Sequence, residues 1–341
     1  MYRRKVQVVG GSTYIVSIPK QWADEMGIKE GNEVTVEKLA DGSLRISPLV
    51  GKRTEAPVAK LFISCIESDD VIARAILAYY LTGSREIKLS FKDIECKERV
   101  LSVLNFLKGK VLGLEVIEET SDEVILGVIL DNRFYDLKSA QQKMIKTISS
   151  MVEDTVKAIQ SKDIGIMGDI YKRDDLLDRL YLYSLRYITA SASTLEARES
   201  VPPNMLPHYA LITKSLERVG DHISLIARNL MESLKSSEVD ESQLSMLQSY
   251  LKQEKELLDI IEELLESFSY SKLVLATEKA FFLIKKEGEL RKSIDRPTIY
   301  YSYVVESCRR IVAYSIDVLE SLLDIAALSG GEIGIANFDK K

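Results

Sequence analysis

The chain is poor in the side chains that bind soft metals or build disulfide frameworks. Its 341 residues include three cysteines, Cys65, Cys96 and Cys308, which are far apart and form no CxxC pair. The sequence therefore supports neither a zinc knuckle nor a disulfide framework, and a reducing cytoplasm is the simplest environment. The two histidines, His208 and His222, are too few for a histidine-rich transition-metal site.

Long hydrophobic runs are also missing. No stretch approaches the roughly eighteen uninterrupted apolar residues that a membrane-spanning helix needs. The opening residues, Met1 to Lys5, lead into an alternating pattern and carry no apolar signal-peptide core. We therefore expect a cytoplasmic protein that does not insert into a membrane.

Motifs of catalysis are absent as well. The chain contains no GxSxG, no HExxH, no Walker loop and no glycine-rich dinucleotide signature. No set of nucleophile, base and oxyanion donors can be assembled from its residues. These absences favour a protein that is not an enzyme.

What the chain does contain is enough apolar material for several cores. Hydrophobic residues make up 46% of the sequence and charged residues 29%, with a formal net charge of −6. This composition excludes global disorder, and the length is too great for one ordinary domain. We predict a multidomain α+β protein. The negative net charge argues against a protein coated in nucleic acid, but a basic segment can be hidden within it.

The first predicted domain, residues 1–53, is rich in β-structure. Gly10-Gly11 and Asp41-Gly42 each separate two alternating segments, which is a strong hairpin signal. The predicted elements are strand Lys5–Val9, strand Ser12–Ile18, helix Lys20–Met26, strand Glu33–Leu39 and strand Leu44–Ser47. A unit this small buries little apolar area alone, so we expect it to form a homodimer.

The second predicted domain, residues 58–131, alternates element types. The predicted order is strand Val58–Ile66, helix Asp69–Leu81, strand Glu86–Phe91, helix Glu95–Leu107, strand Leu114–Glu119 and strand Glu123–Leu130. This β-α-β-α-β-β order predicts a small α/β sandwich. It carries no phosphate loop and no catalytic cluster, so it indicates a fold and no chemistry.

The third predicted domain, residues 135–330, is helical, and residues 331–341 form a C-terminal tail. Six helices are predicted, at Phe134–Gln160, Arg173–Leu195, Pro207–Ser236, Gln243–Phe268, Lys272–Ser293 and Pro297–Leu328. Short turns between them indicate a bundle. A faint repeat aligns the segment 174–179 with 287–292 and the segment 216–222 with 308–314. We therefore predict two three-helix units in tandem.

Two acidic pairs at i,i+4 are the sharpest chemical feature of this domain. Asp174 with Asp178, and Glu217 with Asp221, each place two carboxylates on one helix face. Like charges at this spacing cost roughly 0.2–0.5 kcal/mol per pair, so something should compensate them. A hard cation bridging two helices would do so. The alternative is that neighbouring arginines or lysines neutralise the carboxylates on a solvated face. His222 follows Asp221 but points about 100° away from it, which favours a polar residue of the bundle over a ligand.

The N-terminal domain is locally basic. Residues 1–53 contain nine Lys or Arg and six Asp or Glu residues. Arg3, Arg4 and Lys5 open the first strand, and Lys20 opens the predicted helix, where they can reach DNA phosphates. The alternative is a merely solvated basic N-terminus.

The N-terminal segment resembles the AbrB/SpoVT/MazE family. The resemblance is carried by the segments Arg4–Tyr14, Val16–Trp22, Gly27–Val34 and Leu44–Pro48. It implies a dimeric barrel of swapped hairpins that binds DNA through basic residues of its N-terminal arms and loops. In this chain those residues would be Arg3, Arg4, Lys5 and Lys20.

The helical segment resembles PhoU domains. Leu216–His222, followed by Ile226-Ala227, is similar to their ExxxD helix, and Asp174 with Asp178 fits the companion acidic pair. The resemblance implies tandem three-helix bundles that regulate phosphate transport and its genes and whose acidic motifs can hold metal clusters. The domain order resembles that of mainly archaeal phosphate-uptake regulators.

The second repeat departs from this pattern. Arg291, Arg309 and Ala313 stand where carboxylates are expected, so a divalent or ferric ion would be confined to the first repeat, at Asp174, Asp178, Glu217 and Asp221, or has been lost.

These observations predict a homodimeric DNA-binding transcriptional regulator of phosphate uptake with a PhoU-like sensor body. The alternative is a cytoplasmic adaptor that docks on a phosphate transporter or sensor kinase without binding DNA. A metal-dependent hydrolase that uses the carboxylate pairs is a third interpretation.

Overall fold

The computed structural model describes residues 3–38, 42–49, 58–130, 136–193, 201–236, 239–292 and 299–330. Packing divides the chain into two compact units, Met1–Val58 and Ala59–Lys341. The predicted second and third domains thus pack into one unit. Asp41, the boundaries near residues 53, 131 and 135, and the tail 331–341 lie outside the described residues.

The N-terminal unit contains two antiparallel hairpins. Strand β1 (Gln7–Val9) pairs with β2 (Thr13–Ile15), helix α1 (Lys20–Glu25) follows, and β3 (Val34–Lys38) pairs with β4 (Leu44–Pro48). The positive φ angles of Gly10 and Gly11, 62° and 79°, allow the first tight turn. The described residues of this unit form two separate two-stranded sheets, and no buried apolar cluster joins the two sheets.

The second unit begins with a four-stranded sheet in the order β5-β6-β8-β7. Its elements are β5 (Ala59–Ile63), α2 (Asp69–Leu81), β6 (Glu86–Phe91), α3 (Ile94–Lys110), β7 (Leu114–Glu119) and β8 (Glu123–Val128). Strands β5 and β6 are parallel, and the other pairs are antiparallel. Alternate residues of β6, Ile87, Leu89 and Phe91, point into the core, as a sheet with one covered face requires. The predicted β-α-β-α-β-β sandwich forms.

A disulfide between Cys65 and Cys96 contradicts the expectation that no disulfide is present. Cys65 follows the end of β5, and Cys96 lies in the first turn of α3. The fold brings their Cα atoms to 5.6 Å, within the range that a disulfide spans. The sequence did not indicate this pair because the two cysteines are 31 positions apart and the segment between them carries no local pairing signal. The cysteines therefore no longer indicate a reducing compartment.

The rest of the second unit is a helical body. Its described helices are α4 (Leu137–Ser161), α5 (Ile164–Ser193), α6 (Leu206–Lys235), α7 (Glu241–Glu266), α8 (Tyr270–Lys292) and α9 (Ile299–Leu328). A single buried apolar cluster runs through all six of them. Among the described residues, no helix has the length and apolarity to cross a membrane.

Helix α5 begins at Ile164 and not at Arg173 as predicted. Lys162 adopts a left-handed conformation, with φ of 54°, which ends α4. The Asp163 side chain then accepts hydrogen bonds from the backbone N–H groups of Gly165, at 2.7 Å, and Ile166, at 3.2 Å. This cap supplies acceptors for the first turn of α5, so the two helices are joined by a very short turn.

Arg186 of α5 fixes the α/β sandwich to the helical body. Its guanidinium is buried, donates hydrogen bonds to the carbonyl oxygens of Tyr80 and Gly83, and lies 5.0 Å from the centroid of the Tyr80 ring. These carbonyls stand at the C-terminal end of α2, where a cation is favoured. The second unit is thereby held together across its two parts.

Candidate cation site

Three carboxylates converge where α5 packs on α6. Oxygen atoms of Asp178, Glu217 and Asp221 all lie within 4.8 Å of one another. Asp178 comes from α5, while Glu217 and Asp221 stand one turn apart on α6. Three of the four predicted acidic residues therefore meet across one helix contact, and this is the one such group of His, Cys, Asp and Glu among the described residues.

Gly220 allows the two helices to approach closely at this point. A Cβ atom on Gly220 would lie 2.2 Å from Cδ1 of Leu177, far inside van der Waals contact. Leu177 is fully buried and has little room to withdraw. Because Leu177 lies between Asp174 and Asp178, and Gly220 lies between Glu217 and Asp221, this contact brings the carboxylates together.

Asp174 lies one turn before Asp178 on α5, but it is not one of the three residues whose carboxylate oxygens converge. Within the described part of the chain, its Oδ1 atom is buried and has no hydrogen-bond partner. Burial, together with the nearby charges of Asp221 and Asp178, raises the pKa of Asp174 to about 7. Burial is the largest cause of this rise, and the neighbouring carboxylates add to it.

Two cations on α6 compensate part of this charge. Nζ of Lys214 donates to both carboxylate oxygens of Glu217, at 2.9 and 2.8 Å. Nη1 of Arg218 donates to Oδ2 of Asp221 at 2.9 Å. Burial still raises the pKa of Asp178 and of Asp221, despite the opposing effects of Lys110 on the first and Arg218 on the second. The compensation by neighbouring cations that the sequence left open is therefore present but incomplete.

The donor set fits a hard cation. Asp178, Glu217 and Asp221 offer oxygen ligands from two facing helices, as in carboxylate sites of helical bundles. A bound divalent or ferric ion would supply the positive charge that Lys214 and Arg218 provide only in part.

The corresponding region of the second repeat is neutralised by arginine. Arg291 contacts Glu287 at 2.6 Å and Glu306 at 3.0 Å, and Arg310 donates to Glu306 at 3.1 Å. Burial opposes the ionisation of Glu306, but hydrogen bonds from both arginines hold its pKa below the usual value. These carboxylates already have fixed counter-charges.

His222 lies beside the site but belongs to a different contact. Its ring stacks on Tyr314, with centroids 5.8 Å apart. Burial and the nearby Arg310 and Arg218 lower the pKa of His222 to about 4. A neutral imidazole packed between helices agrees with the interpretation of His222 as a polar residue of the bundle.

The predicted DNA-contacting residues lie in the N-terminal unit and not in the unit that holds the carboxylates. Arg3, Arg4, Lys5 and Lys20 are all exposed.

Two residues near the carboxylates were missed by sequence reasoning. Lys214 stands three residues before Glu217, so helical spacing contained a signal for it. Lys110 ends α3 and forms an ion pair with Asp175 of α5. Nothing in the sequence indicated this contact, because it depends on how the sandwich packs against the body.

Two family models match segments of this chain. Residues 142–230 match the family model of the PhoU domain, and residues 7–54 match that of the antidote-toxin recognition MazE, bacterial antitoxin. The solved structure of the phosphate transport system regulatory protein PhoU from Streptococcus pneumoniae is similar, with 20% identity and a TM-score of 0.49, over 59% of this chain and 97% of that one.

One curated protein is similar over a shorter stretch. Reticulocyte-binding protein 1 of Plasmodium vivax (strain Belem) is 23% identical over 128 residues, or 37% of this chain, and the chain spans 4% of the length of that protein.

The two family matches confirm both resemblances found in the sequence, and both are regulatory, non-enzymatic domain types. The chain therefore carries a MazE-like domain near its N-terminus and a PhoU domain in its helical body.

Proposed function

We propose that this chain is a DNA-binding regulator of phosphate uptake that works as a homodimer in the cytoplasm. In this proposal its helical body binds a divalent or ferric cation at Asp174, Asp178, Glu217 and Asp221. The observation that carries the proposal is the surface of the N-terminal unit, which leaves both its cations and its apolar strand faces exposed.

The apolar face of the second hairpin needs a partner. In the register of β3 and β4, Val36 lies opposite Ile46, and Leu44 lies opposite Lys38. Val36 is 63% exposed and Leu44 is 66% exposed. A small two-stranded sheet is marginal in water, so a second copy that covers this face would stabilise it. This supports a dimer whose paired hairpins form the barrel implied by the family resemblance.

Such a dimer presents two sets of basic arms. Arg3, Arg4 and Lys5 directly precede β1, and Lys20 begins α1. All four are exposed, so they are placed to contact phosphate groups of a DNA duplex.

The test is an anisotropy titration of a labelled duplex from the promoters of phosphate-uptake genes. We expect Arg3→Ala/Arg4→Ala/Lys5→Ala to abolish binding or weaken it strongly. The slope of log K against log salt should fall by about one for each lost phosphate contact. The matched control is Lys146→Ala/Lys172→Ala/Lys252→Ala, which removes the same charge from exposed positions of the helical body.

Equal losses in the two triple variants would show a non-specific charge effect and contradict the proposal. Absence of DNA binding by the wild type at low salt would favour the adaptor alternative. One feature supports that alternative: Phe281 and Phe282 of α8 are each 54% exposed, and Val274 and Leu275, about two turns earlier on the same helix, are exposed as well. An apolar strip of this kind is typical of a docking surface.

The cation site is tested separately by titration of the full chain with Mn²⁺. Glu217→Gln should abolish binding or weaken it strongly, because Glu217 is a central member of the carboxylate group. Glu232→Gln is the control on the same helix, since Glu232 contacts Lys235 away from the site. Equal binding by both variants would contradict the site.

A further inference from the structure

Lys110 connects the α/β sandwich to the carboxylate site. It is the last residue of α3, and its ammonium group forms an ion pair with Asp175 of α5, the neighbour of Asp174. We propose that Lys110 competes electrostatically with the cation at this site and so sets its affinity, an inference that rests on the proposed cation site. The sandwich would then affect cation binding directly, because its residue Lys110 supplies a positive charge close to the site.

The position of Lys110 is held by the fold. Helix α3 ends there because Val111 is extended, with φ of −129° and ψ of 153°. Leu107 and Val111 are both buried in the core of the sandwich. The sandwich itself is fixed to α5 by the hydrogen bonds of Arg186 to Tyr80 and Gly83. The ammonium group is therefore kept near the acidic residues by packing on both sides.

The charges of Lys110 and of the site affect each other. The hydrogen bond with Asp175 raises the pKa of Lys110, and the charges of Asp175, Asp178 and Asp174 add to this effect. Asp175 stands three residues before Asp178 on α5, so the ammonium group that contacts Asp175 lies on the side of the helix near Asp178. The ammonium thus stabilises the ionised carboxylates when no cation is bound.

A divalent cation among the carboxylates would be repelled by Lys110. Binding of a cation must therefore overcome the repulsion from Lys110, whose positive charge already compensates part of the negative charge of the carboxylates. By thermodynamic reciprocity, occupation of the site weakens the electrostatic contribution of Lys110 to the contact between sandwich and body.

The experiment compares Mn²⁺ affinity in three variants of the full chain. We expect Lys110→Met to bind Mn²⁺ about 3- to 10-fold more tightly than the wild type, since one repelling charge near the site is lost. Lys110→Arg keeps the charge and should bind as the wild type does. Lys108→Met is the matched control, because Lys108 is on the same helix and as exposed as Lys110 but pairs with Glu115 of the sandwich.

Salt distinguishes an electrostatic role from a structural one. The side chains of Lys110 and Asp175 are 34% and 63% exposed, so the advantage of Lys110→Met should shrink as salt is added. An affinity gain that is independent of salt would contradict the proposal, as would an equal gain in Lys108→Met.

The variants Glu217→Gln and Lys110→Met distinguish the role of Lys110 from the existence of the cation site. If Glu217→Gln abolishes Mn²⁺ binding while Lys110→Met binds as the wild type does, the site stands and the role of Lys110 is overturned. If none of these proteins, including the wild type and Lys110→Met, binds Mn²⁺, the cation site falls and the inference falls with it.

Discussion

Glu254 is a carboxylic acid in the middle of the apolar stripe of α7. It lies between Leu251 and Leu258, is fully buried, and among the described residues neither of its carboxylate oxygens has a hydrogen-bond partner. Burial raises its pKa well above the ordinary value of 4.5. Sequence patterning places Glu254 at a core position but does not show that this core lacks a partner for it.

Replacing Glu254 by glutamine should change how stability depends on pH. Because the folded chain holds the proton of Glu254 more tightly than the unfolded chain does, its contribution to stability is present at low pH and lost as pH rises above 4.5. We expect Glu254→Gln to resemble the wild type near pH 5 and to exceed it by about 1–3 kcal/mol in free energy of unfolding near pH 8.

Urea unfolding at both pH values measures this difference. Glu256→Gln is the control, since Glu256 is exposed on the same helix. A wild type as stable as Glu254→Gln at pH 8 would show that the carboxyl has found a partner or water.

At the scale of elements, the sequence predicted the bounds of those helices and strands whose ends carry a signal in the sequence. Helix α2 and strands β6 and β7 have the predicted bounds, because Gly83 ends α2 and alternation marks the strands. The start of α5 was missed because its cap, Asp163, directly follows another helix.

The candidate site shows the same difference between what local spacing predicts and what depends on packing between distant segments. Three of its four predicted carboxylates, those of Asp178, Glu217 and Asp221, converge, and the i,i+4 spacing indicated them because it puts paired side chains on one helix face. Lys110 and the pair Cys65–Cys96 could not be predicted, since both contacts arise from packing between distant segments.

The disulfide of the sandwich predicts a thiol count. Protein purified without reductant and then denatured should give one reactive thiol per chain, from Cys308, and three after reduction. The bridge closes a segment of 31 residues, so Cys65→Ala/Cys96→Ala should cost about 3–4 kcal/mol of stability by loss of chain constraint.

Thermal unfolding of the wild type with and without dithiothreitol, alongside Cys308→Ala as control, checks this value. Three thiols in the unreduced wild type would mean that the two cysteines do not pair.

At the scale of the whole molecule, the N-terminal unit should determine the oligomeric state. A charge on the apolar face of the second hairpin would be buried by the second copy, so we expect Val36→Asp to convert a dimer into a monomer. Thr35→Asp is the control, because Thr35 is the next residue of β3 and points to the opposite face.

Light scattering after gel filtration gives the masses of both variants. A wild type with the mass of one chain would remove the physical reason for paired DNA-binding arms. A dimer that survives Val36→Asp would place the interface elsewhere.

The arginines of the second repeat have a consequence for how the whole chain responds to its surroundings. Arg291 is a counterion tethered to its own helix, so its half of the body keeps the same charge balance whatever ions the medium holds. If the proposed cation site of the first repeat binds an ion, that half, among the described residues, can exchange its counterion with solution. A homodimer of such chains would therefore carry two ion-binding sites and not four, one in each chain.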